Sequence, residues 1–330
     1  MKALILTTEE IEIQNIEKPV AQAHEVIIKV QYGSLNRRDQ WARVGLYPGM
    51  TYNCVLGSDG CGIVESVGEG VDTSWIGQEV VINPNQHWGE DLRHPNTKTY
   101  TILGMPKNGI FAEYVCVPVD RIHKKPAYLT PKEAAAIPLA ALTAYRACFY
   151  KGNIQKGDHV LVTGIGGGVA QFAAQFAIAQ GAKVWVTSGS DEKLATMKTK
   201  YGVTGGANYK KEDWQKDLLK ESGGFDVIID SAGGSDFNLL LKTLKQSATL
   251  VFYGATLGSV KLDMPRVFFG QYIIKGTTMG NDQEFADMLA FIEKHQIHPI
   301  IDSVRPFEQI IEAFNDMRDG KIFGKVVIKM

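Results

Sequence analysis

The spacing of apolar residues changes character along this chain. In its first third, short runs alternate between apolar and polar residues and are separated by glycines, which is typical of antiparallel or barrel-like β structure. The predicted strands span residues 2–6, 25–32, 61–67, 79–82 and 112–117. We therefore expect a mostly-β region over residues 1–124.

From residue 125 the pattern alternates between strands and helices. Thr130, Pro131 and Glu133 predict a capped helix start, and a second helix is expected over 139–150. The strands predicted after it span residues 159–162, 183–187, 225–230, 248–253 and 272–277, with helices from about 169, 190 and 235 between them. This alternation predicts a parallel, doubly wound sheet with its ligand at the carboxyl ends of the strands.

The last fifty residues add two helices and a strand. Asn281 is the expected cap of one helix, Pro306 opens another, and residues 325–329 form a terminal strand.

A glycine-dense turn follows the strand over residues 159–162. It reads Gly164-Ile165-Gly166-Gly167-Gly168, and a helical apolar pattern starts at Val169. The spacing G-x-G-x-x-G/A does not fit from Gly164, whereas G-x-x-G-x-x-A fits with Gly164, Gly167 and Ala170. Backbone N–H groups without neighbouring Cβ atoms can approach a pyrophosphate at a helix N-terminus. The turn predicts a dinucleotide site, with an ordinary strand-to-helix connection as the alternative.

Composition narrows the function classes. A length of 330 residues favours two domains, and 35 basic against 36 acidic residues leave a net charge of −1, unlike a nucleic-acid-binding protein. The chain has no apolar run long enough to span a membrane and no signal peptide, so we expect a soluble, cytoplasmic protein. The four cysteines form no C-x-x-C pattern and are expected to be reduced and buried.

Three further segments carry a family resemblance. They are Leu35-Asn36-x-x-Asp39 followed by Gly45-Leu46-Tyr47-Pro48, then Gly109-Ile110-Phe111-Ala112-Glu113-Tyr114, then Phe323-Gly324-Lys325-Val326-Val327. With the glycine turn, they resemble the medium-chain dehydrogenase/reductase family, in its zinc-independent quinone-oxidoreductase branch.

The resemblance implies an α/β protein of two domains. A Rossmann dinucleotide-binding domain would span 125–280, and a GroES-like, mostly-β catalytic domain would combine 1–124 with 281–330, leaving the cofactor cleft between them. It also implies a homodimer formed through the strand at 272–277.

Departures from the zinc-dependent relatives bear on the chemistry. Those relatives place a cysteine where Asn36 stands and a His-Glu pair where Ser58-Asp59 stands. An amide and a hydroxyl are poor substitutes for thiolate and imidazole, so no metal is expected. The structural zinc lobe of the family would fall within 83–108, which holds no cysteine. His87 and His94, with Glu90 and Asp91, are either a replacement metal site or solvated loop side chains; we favour the latter.

The cofactor is expected to be NADP(H). Ser188 stands where NAD-binding domains usually have an acid, and Lys193 follows a helical turn after Ser190, which suits a 2′-phosphate. Alternatively, Asp191 accepts the ribose hydroxyl. The resemblance also implies a tyrosine beside the phosphate and a threonine near the nicotinamide, although that threonine could instead bond its own helix. The implied cofactor contacts are Thr143, Gly164, Gly166, Gly167, Gly168, Val169, Ser188, Ser190, Lys193, Tyr209, Gly254, Ala255, Phe323 and Lys325.

Without a metal, hydrogen-bond donors must stabilise the negative charge that develops on the acceptor oxygen. This favours conjugated acceptors such as quinones, enones or enals. The resemblance implies donation by Asn36 and Tyr47, with Asp39 orienting its neighbours; turn capping by Asn36 and Asp39, and a lid role for Tyr47, are the alternatives. Trp41, where many relatives have a tyrosine, cannot relay a proton, so the final proton is expected from solvent.

Rival functions are an alcohol dehydrogenase with an unorthodox metal site and a non-catalytic NADPH-binding protein.

Overall fold

The computed structural model describes residues 1–330. The strands, in chain order, are β1 (Lys2–Leu6), β2 (Ile11–Asn15), β3 (Glu25–Ser34), β4 (Cys54–Val55), β5 (Asp59–Val67), β6 (Glu79–Ile82), β7 (Asn85–Gln86), β8 (Thr101–Ile102), β9 (Tyr114–Pro118), β10 (Ile122–Lys124), β11 (His159–Val162), β12 (Lys183–Ser188), β13 (Gly205–Asn208), β14 (Phe225–Asp230), β15 (Leu244–Phe252), β16 (Ile273–Gly276), β17 (Ile301–Pro306) and β18 (Lys325–Lys329).

The α-helices are α1 (Arg37–Arg43), α2 (Pro131–Ala134), α3 (Pro138–Tyr145), α4 (Gly168–Ala179), α5 (Asp191–Tyr201), α6 (Trp214–Ser222), α7 (Phe237–Leu241), α8 (Met264–Gly270), α9 (Asp282–His295) and α10 (Ile310–Arg318). Shorter 3-10 turns span Thr73–Trp75, Val119–Arg121 and Phe307–Gln309, and a π-helix spans Arg146–Lys151. None of these helices combines the length and the apolar composition that a membrane span requires.

The chain divides into two compact units. The first comprises residues 1–140 and 281–330, and the second comprises residues 141–280. Residues 125–140, which the sequence pattern assigned to the dinucleotide domain, therefore pack with the first unit. One reason is a hydrogen bond from the Leu139 N–H to Asp59 Oδ1 of β5 at 2.7 Å, which holds the start of α3 there.

In the first unit, a seven-stranded sheet carries the strands that position the site. Its order is β10-β6-β5-β3-β18-β17, and β9 also pairs with β3. Val26, Ile28 and Val30 of β3, which belong to the strand predicted over 25–32, are buried, and the intervening Ile27 is buried as well. The C-terminal strand β18 runs antiparallel to β3, with Val327 opposite Ser34. The end of the chain therefore lies beside the loop that follows β3.

The second unit is built on a six-stranded parallel sheet, so the predicted doubly wound Rossmann domain is confirmed. Its strand order is β13-β12-β11-β14-β15-β16. The residues Val160, Leu161 and Val162 of the central strand β11 are fully buried, as expected for a strand covered on both faces. The order reverses direction at β11, so the carboxyl end of this strand is the topological switch point where such folds bind ligands.

The structure differs from the sequence-based prediction in several short elements. The single helix expected over 139–150 is α3 followed by the π-helix, whose Gly152 N–H donates to Ala147 O at 2.8 Å. The helix expected near 235–244 is limited to α7, because β15 already begins at Leu244. The sequence did not predict helices α1, α6 and α8, which are all fewer than ten residues long and so carry little periodicity.

Candidate active site

Asn36 and Asp39 form the junction between β3 and α1. Asn36 is the N-cap of α1 with an extended backbone, and its N–H donates to Asp39 Oδ2 at 2.9 Å. The Asp39 N–H donates in turn to Asn36 O at 3.0 Å. The capping interaction that the sequence left as an alternative is therefore present. Both side chains are also buried, which an ordinary surface cap does not require.

Lys325 lies at the centre of this junction. It is the first residue of β18, is only 2% exposed, and reaches Asn36 because β18 pairs with β3. Its Nζ donates to Leu35 O at 2.8 Å, Asn36 Oδ1 at 2.6 Å and Asp59 Oδ2 at 2.9 Å. These three acceptors use all three ammonium protons. The sequence had grouped Lys325 with the cofactor contacts, whereas here its ammonium is bound by groups of the first unit.

These contacts determine how the Asn36 amide is oriented. An ammonium can only donate, so the amide oxygen must face Lys325 and the amide nitrogen must point elsewhere. Asn36 Nδ2 is buried and has no hydrogen-bond partner. A buried donor without a partner costs about 1–3 kcal/mol, so this N–H group has the capacity to donate to a ligand or to a water molecule.

Arg38 provides a second buried cation next to Asp39. Its Nη1 donates to Ser58 Oγ at 2.6 Å and to Leu103 O at 3.0 Å, and its Nε and Nη2 have no partner. The half-buried Tyr47 ring lies 4.8 Å from the Arg38 guanidinium carbon, within the range of a cation–π contact. Tyr47 therefore lies against Arg38 beside the same junction.

The Asp39 carboxyl is completely buried. Burial raises its pKa to about 6, and the opposing effects of Arg38 and of the Asn36 N–H only partly offset this. Asp39 Oδ1 lies 3.6 Å from Arg38 Nη1. With Asp59 and the two cations, the site contains charges of both signs that are almost completely removed from water.

Asn36, Ser58 and Asp59, which stand where the family resemblance implies zinc ligands, form a set of side chains that does not fit a zinc ion. The oxygens of Asn36 and Asp59 both accept from the Lys325 ammonium, and Ser58 Oγ donates to Leu103 O at 2.9 Å. Neither a thiolate nor an imidazole is present, and an ammonium among these oxygens would repel a second cation. Across the chain, no group of three or more His, Cys, Asp or Glu side chains is arranged to hold a metal.

The loop that was considered as a replacement metal site contains surface ion pairs. Arg93 Nη2 lies 2.6 Å and His94 Nε2 lies 3.5 Å from Asp91 Oδ2, and the Arg93 and His94 side chains are largely exposed. The His87 side chain is also exposed. This arrangement is typical of solvated loop residues.

In the second unit, the glycine turn leaves a set of free backbone donors. Thr187 holds the turn, because its Oγ1 accepts from the Gly164 N–H at 3.1 Å and its carbonyl accepts from the Ile165 N–H at 2.9 Å. Gly164 has a φ of 62°, a conformation that favours glycine.

The helix that follows the turn has no side-chain cap. Gly167 is the N-cap of α4, and its own N–H donates to Gly164 O at 3.0 Å. The N–H groups of Gly166, Gly168 and Val169 have no protein partner. Free donors at a helix N-terminus fit the pyrophosphate of a dinucleotide. Of the five predicted turn residues, Gly164 and Gly167 shape the turn and the other three present the donors.

Two strand ends are tied together next to this turn. Thr163 Oγ1 donates to Asp230 Oδ1 at 2.6 Å, and Asp230 Oδ2 accepts from the N–H groups of Ala232 and Gly233. A Cβ on Gly254 would lie 2.8 Å from Ser231 O, so the backbone at this strand end also approaches closely. Sequence reasoning missed the roles of Thr187 and Asp230; their only signal was their position at strand ends.

The end of β12 carries the groups that were expected near the adenosine ribose. Ser188 is buried and its Oγ accepts from the Ser190 N–H at 3.1 Å, while Ser190 Oγ accepts from the Lys193 N–H and caps α5. A Cβ built on Gly189 would lie 2.7 Å from the Tyr209 hydroxyl and 2.8 Å from Lys210 Cε. Tyr209 and Lys210 therefore lie directly over this turn.

Asp191, the alternative ribose acceptor, is already paired. Its Oδ1 accepts from Lys211 Nζ and from Asn208 Nδ2, each at 3.1 Å. The Lys211 bond, followed by the Asn208 bond, lowers the pKa of Asp191.

The remaining residues that the resemblance implies as cofactor contacts lie at separate positions in the structure. Thr143 lies in α3, is 6% exposed and places its Oγ1 3.9 Å from Met279 Sδ. Ala255 is exposed next to Gly254. Phe323 belongs to the first unit, where its N–H donates to Asp302 Oδ1 at 2.8 Å. The predicted contacts therefore divide between the two units, with Phe323 and Lys325 in the first.

A six-stranded parallel sheet with a free helix N-terminus after its first strand, together with a separate β-rich unit, is the architecture typical of two-domain, nicotinamide-dinucleotide-dependent oxidoreductases. Comparison with known proteins agrees. Residues 22–127 match the alcohol dehydrogenase GroES-like domain family, and residues 168–294 match the zinc-binding dehydrogenase family.

Individual relatives extend over nearly the whole chain. The zinc-type alcohol dehydrogenase-like protein YogA of Leptosphaeria maculans is 35% identical over 97% of this chain and 94% of its own length. The quinone oxidoreductase of Mus musculus is 29% identical over 94% of this chain and 90% of its own length. The crystal structure of an NAD-dependent alcohol dehydrogenase matches with a TM-score of 0.94 and 33% identity over 100% of both chains. The chain belongs to the medium-chain dehydrogenase/reductase superfamily, and the predicted family is confirmed.

Proposed function

We propose that this protein is a zinc-independent, NADPH-dependent reductase that transfers a hydride to a conjugated carbonyl acceptor, namely a quinone, an enone or an enal. The observation that carries the proposal is the set of contacts around Lys325 Nζ, which commits the oxygens of Asn36 and Asp59 to an ammonium. A site without a Lewis acid suits acceptors that conjugation has already activated. The similarity to a quinone oxidoreductase supports this substrate class.

In this proposal the side chains of the first unit bind and polarise the acceptor. A bound nicotinamide would supply the hydride. Asn36 Nδ2, which has no protein partner, donates to the acceptor oxygen as negative charge develops there. The Tyr47 hydroxyl is the second donor, and the contact with Arg38 fixes its ring. Asp39 orients Asn36 by accepting its backbone N–H. The final proton comes from solvent.

NADPH is the proposed cofactor, held in the second unit. The N–H groups of Gly166, Gly168 and Val169 would bind the pyrophosphate. Ser190, Tyr209 and Lys210 would surround the 2′-phosphate. Asp191, the alternative acceptor for a ribose hydroxyl, forms an exposed ion pair with Lys211. The related NAD-dependent alcohol dehydrogenase makes NADH the control cofactor.

The test is a turnover assay with defined controls. Purified protein is incubated with NADPH or NADH and with a benzoquinone, an enone, an enal or a simple ketone, each with and without 1,10-phenanthroline. We expect NADPH oxidation with the conjugated acceptors and no effect of the chelator. Chelator-sensitive reduction of the simple ketone would favour the alcohol dehydrogenase alternative. NADPH binding without turnover of any acceptor would favour a non-catalytic role.

A homodimer through β16 is proposed as well. This strand forms one edge of the parallel sheet, and its Ile273 is 46% exposed. The neighbouring helix α8 exposes Phe268 and Phe269 at 60% and 75%. An open edge strand beside exposed aromatic side chains is a surface that an identical strand can cover about a two-fold axis. The cytoplasmic location expected from the sequence stays a prediction.

A further inference from the structure

We propose that Lys325 is the positioning residue of the reducing site, whose ammonium orients and polarises the Asn36 side-chain amide so that Nδ2 is presented as a donor. This inference rests on the proposed reductase function. It goes beyond that function because it assigns the electrostatic work of the missing metal to one identified cation, which acts through Asn36 and does not touch the substrate.

The geometry excludes direct contact between Lys325 and an acceptor. All three ammonium protons are used within the protein, on Leu35 O, Asn36 Oδ1 and Asp59 Oδ2. The influence of Lys325 must therefore pass through the groups that it binds.

The Asn36 amide is the group through which this charge can act. A charge-assisted bond to the amide oxygen draws electron density from the nitrogen, which makes the Nδ2 protons better donors. The bond at 2.6 Å also fixes the amide orientation, since a flipped amide would place its NH₂ group against the ammonium. Nδ2 is the end of the amide that has no partner in the protein.

Lys325 is itself held by a relay from another element. Asp59 Oδ2 accepts from Lys325 Nζ at 2.9 Å, and Asp59 Oδ1 accepts from the Leu139 N–H at 2.7 Å. Both oxygens of this fully buried carboxylate are therefore committed. The start of α3, the first residue of β5 and the first residue of β18 together fix the position of the ammonium behind Asn36.

A purely structural role for Lys325 would be to join β18 to β3. The structural role and the polarising role predict different effects when Lys325 is replaced by a neutral residue. Loss of a structural tie lowers the thermal stability and affects all acceptors equally. Loss of the polarising cation lowers kcat, spares cofactor binding, and matters more for a weakly activated acceptor, which depends more on charge stabilisation at its oxygen.

The test compares Lys325→Met with Lys329→Met, a change at an exposed lysine of the same strand. Thermal unfolding, NADPH affinity, kcat and KM are measured with a quinone and with an enal. For Lys325→Met we expect unchanged NADPH affinity and a kcat lower by about 10²-fold, the scale of losing one oxyanion donor, with a larger loss for the enal. Lys329→Met should match the wild type.

A double mutant tests whether Lys325 acts through Asn36. Combining Lys325→Met with Asn36→Ala should lower kcat no further than Asn36→Ala alone, because both changes remove the same interaction. Losses that multiply in full would overturn the inference, as would a wild-type kcat in folded Lys325→Met.

Two further variants keep the test decisive if Lys325→Met does not fold. Lys325→Gln retains a polar donor without the charge and should show the same loss of kcat. Lys325→Arg retains the charge and should be closer to the wild type. An arginine variant no better than the glutamine variant would overturn the inference. If the wild-type protein reduces no conjugated acceptor, the proposed function itself fails. This result is distinct from active wild-type protein together with a Lys325 variant of equal kcat, which overturns only the inference about Lys325.

Discussion

At the scale of single residues, the site depends on one amide whose orientation is set by its neighbours. Asn36 Oδ1 accepts from Lys325, its backbone N–H donates to Asp39, and Nδ2 has no partner. The family motif indicated Asn36, Asp39 and Tyr47 in the sequence, and they lie around one junction. The contact between Lys325 and Asp59 could not be predicted, because 266 positions separate the two residues and only strand pairing brings them together.

The first prediction concerns the Asn36 donor. Asn36→Ala should lower kcat/KM for a quinone by about 10²–10³-fold, the cost of losing one donor to a developing oxyanion. Asn36→Asp is the matched control for shape, since it keeps an oxygen for Lys325 but removes the N–H donor, and it should lose at least as much activity. Steady-state kinetics with saturating NADPH give the values. Wild-type activity in Asn36→Asp would show that the donor is not used.

The second prediction concerns the pH dependence of stability. Burial raises the pKa of Asp39 to about 6. A group whose pKa is higher in the folded state favours folding at low pH, and this contribution is lost as the pH rises from about 3 to about 7, through the pKa of the folded state. Asp39→Asn does not titrate, so its free energy of unfolding relative to the wild type should rise by about 3 kcal/mol across this range, at about 1.4 kcal/mol per pKa unit. Urea titrations at several pH values measure it, and a constant difference would contradict it.

At the scale of elements, the turn between β11 and α4 and the end of β12 are the two parts of the proposed cofactor site. The sequence predicted both strands and both helices here because their apolar periodicity is strong. It did not predict Lys210, because this residue reaches the turn at Gly189 from the loop after β13, and β13 itself was not predicted. The sequence Gly205-Gly206-Ala207-Asn208 of that strand has almost no β propensity, so its pairing with β12 defines it.

The third prediction concerns cofactor preference. Lys210→Met should lower kcat/KM for NADPH by about 10-fold to 100-fold, because a charge-assisted hydrogen bond contributes roughly 1.5–3 kcal/mol, and it should leave the value for NADH unchanged. Lys216→Met removes an exposed lysine that pairs with Asp213 and serves as the control. Equal losses with both cofactors would show that Lys210 does not contact a 2′-phosphate.

At the scale of the whole molecule, the chain consists of two compact units and has at least one sheet edge suited to self-association. The alternation of strands and helices predicted the Rossmann unit, and the glycine-rich β pattern predicted the first unit. Their exact extents could not be predicted, because the assignment of residues 125–140 depends on tertiary contacts such as the bond from the Leu139 N–H to Asp59.

The fourth prediction concerns the oligomeric state. Ile273→Lys should convert a dimer into a monomer, because it places a charge on the open edge of the parallel sheet. Ile13→Lys changes a similarly exposed isoleucine of β2 in the first unit and should leave the dimer intact. Sedimentation velocity distinguishes the two states. A wild-type protein that sediments as a monomer would contradict the proposed interface.

We propose that reduction at this site proceeds without a metal, because the Lys325 ammonium occupies the oxygens of Asn36 and Asp59. The most direct test of this proposal is to measure the zinc content and the quinone-dependent oxidation of NADPH on the same purified sample. We expect full turnover in protein that contains no stoichiometric zinc. Turnover that rises in proportion to bound zinc would contradict it.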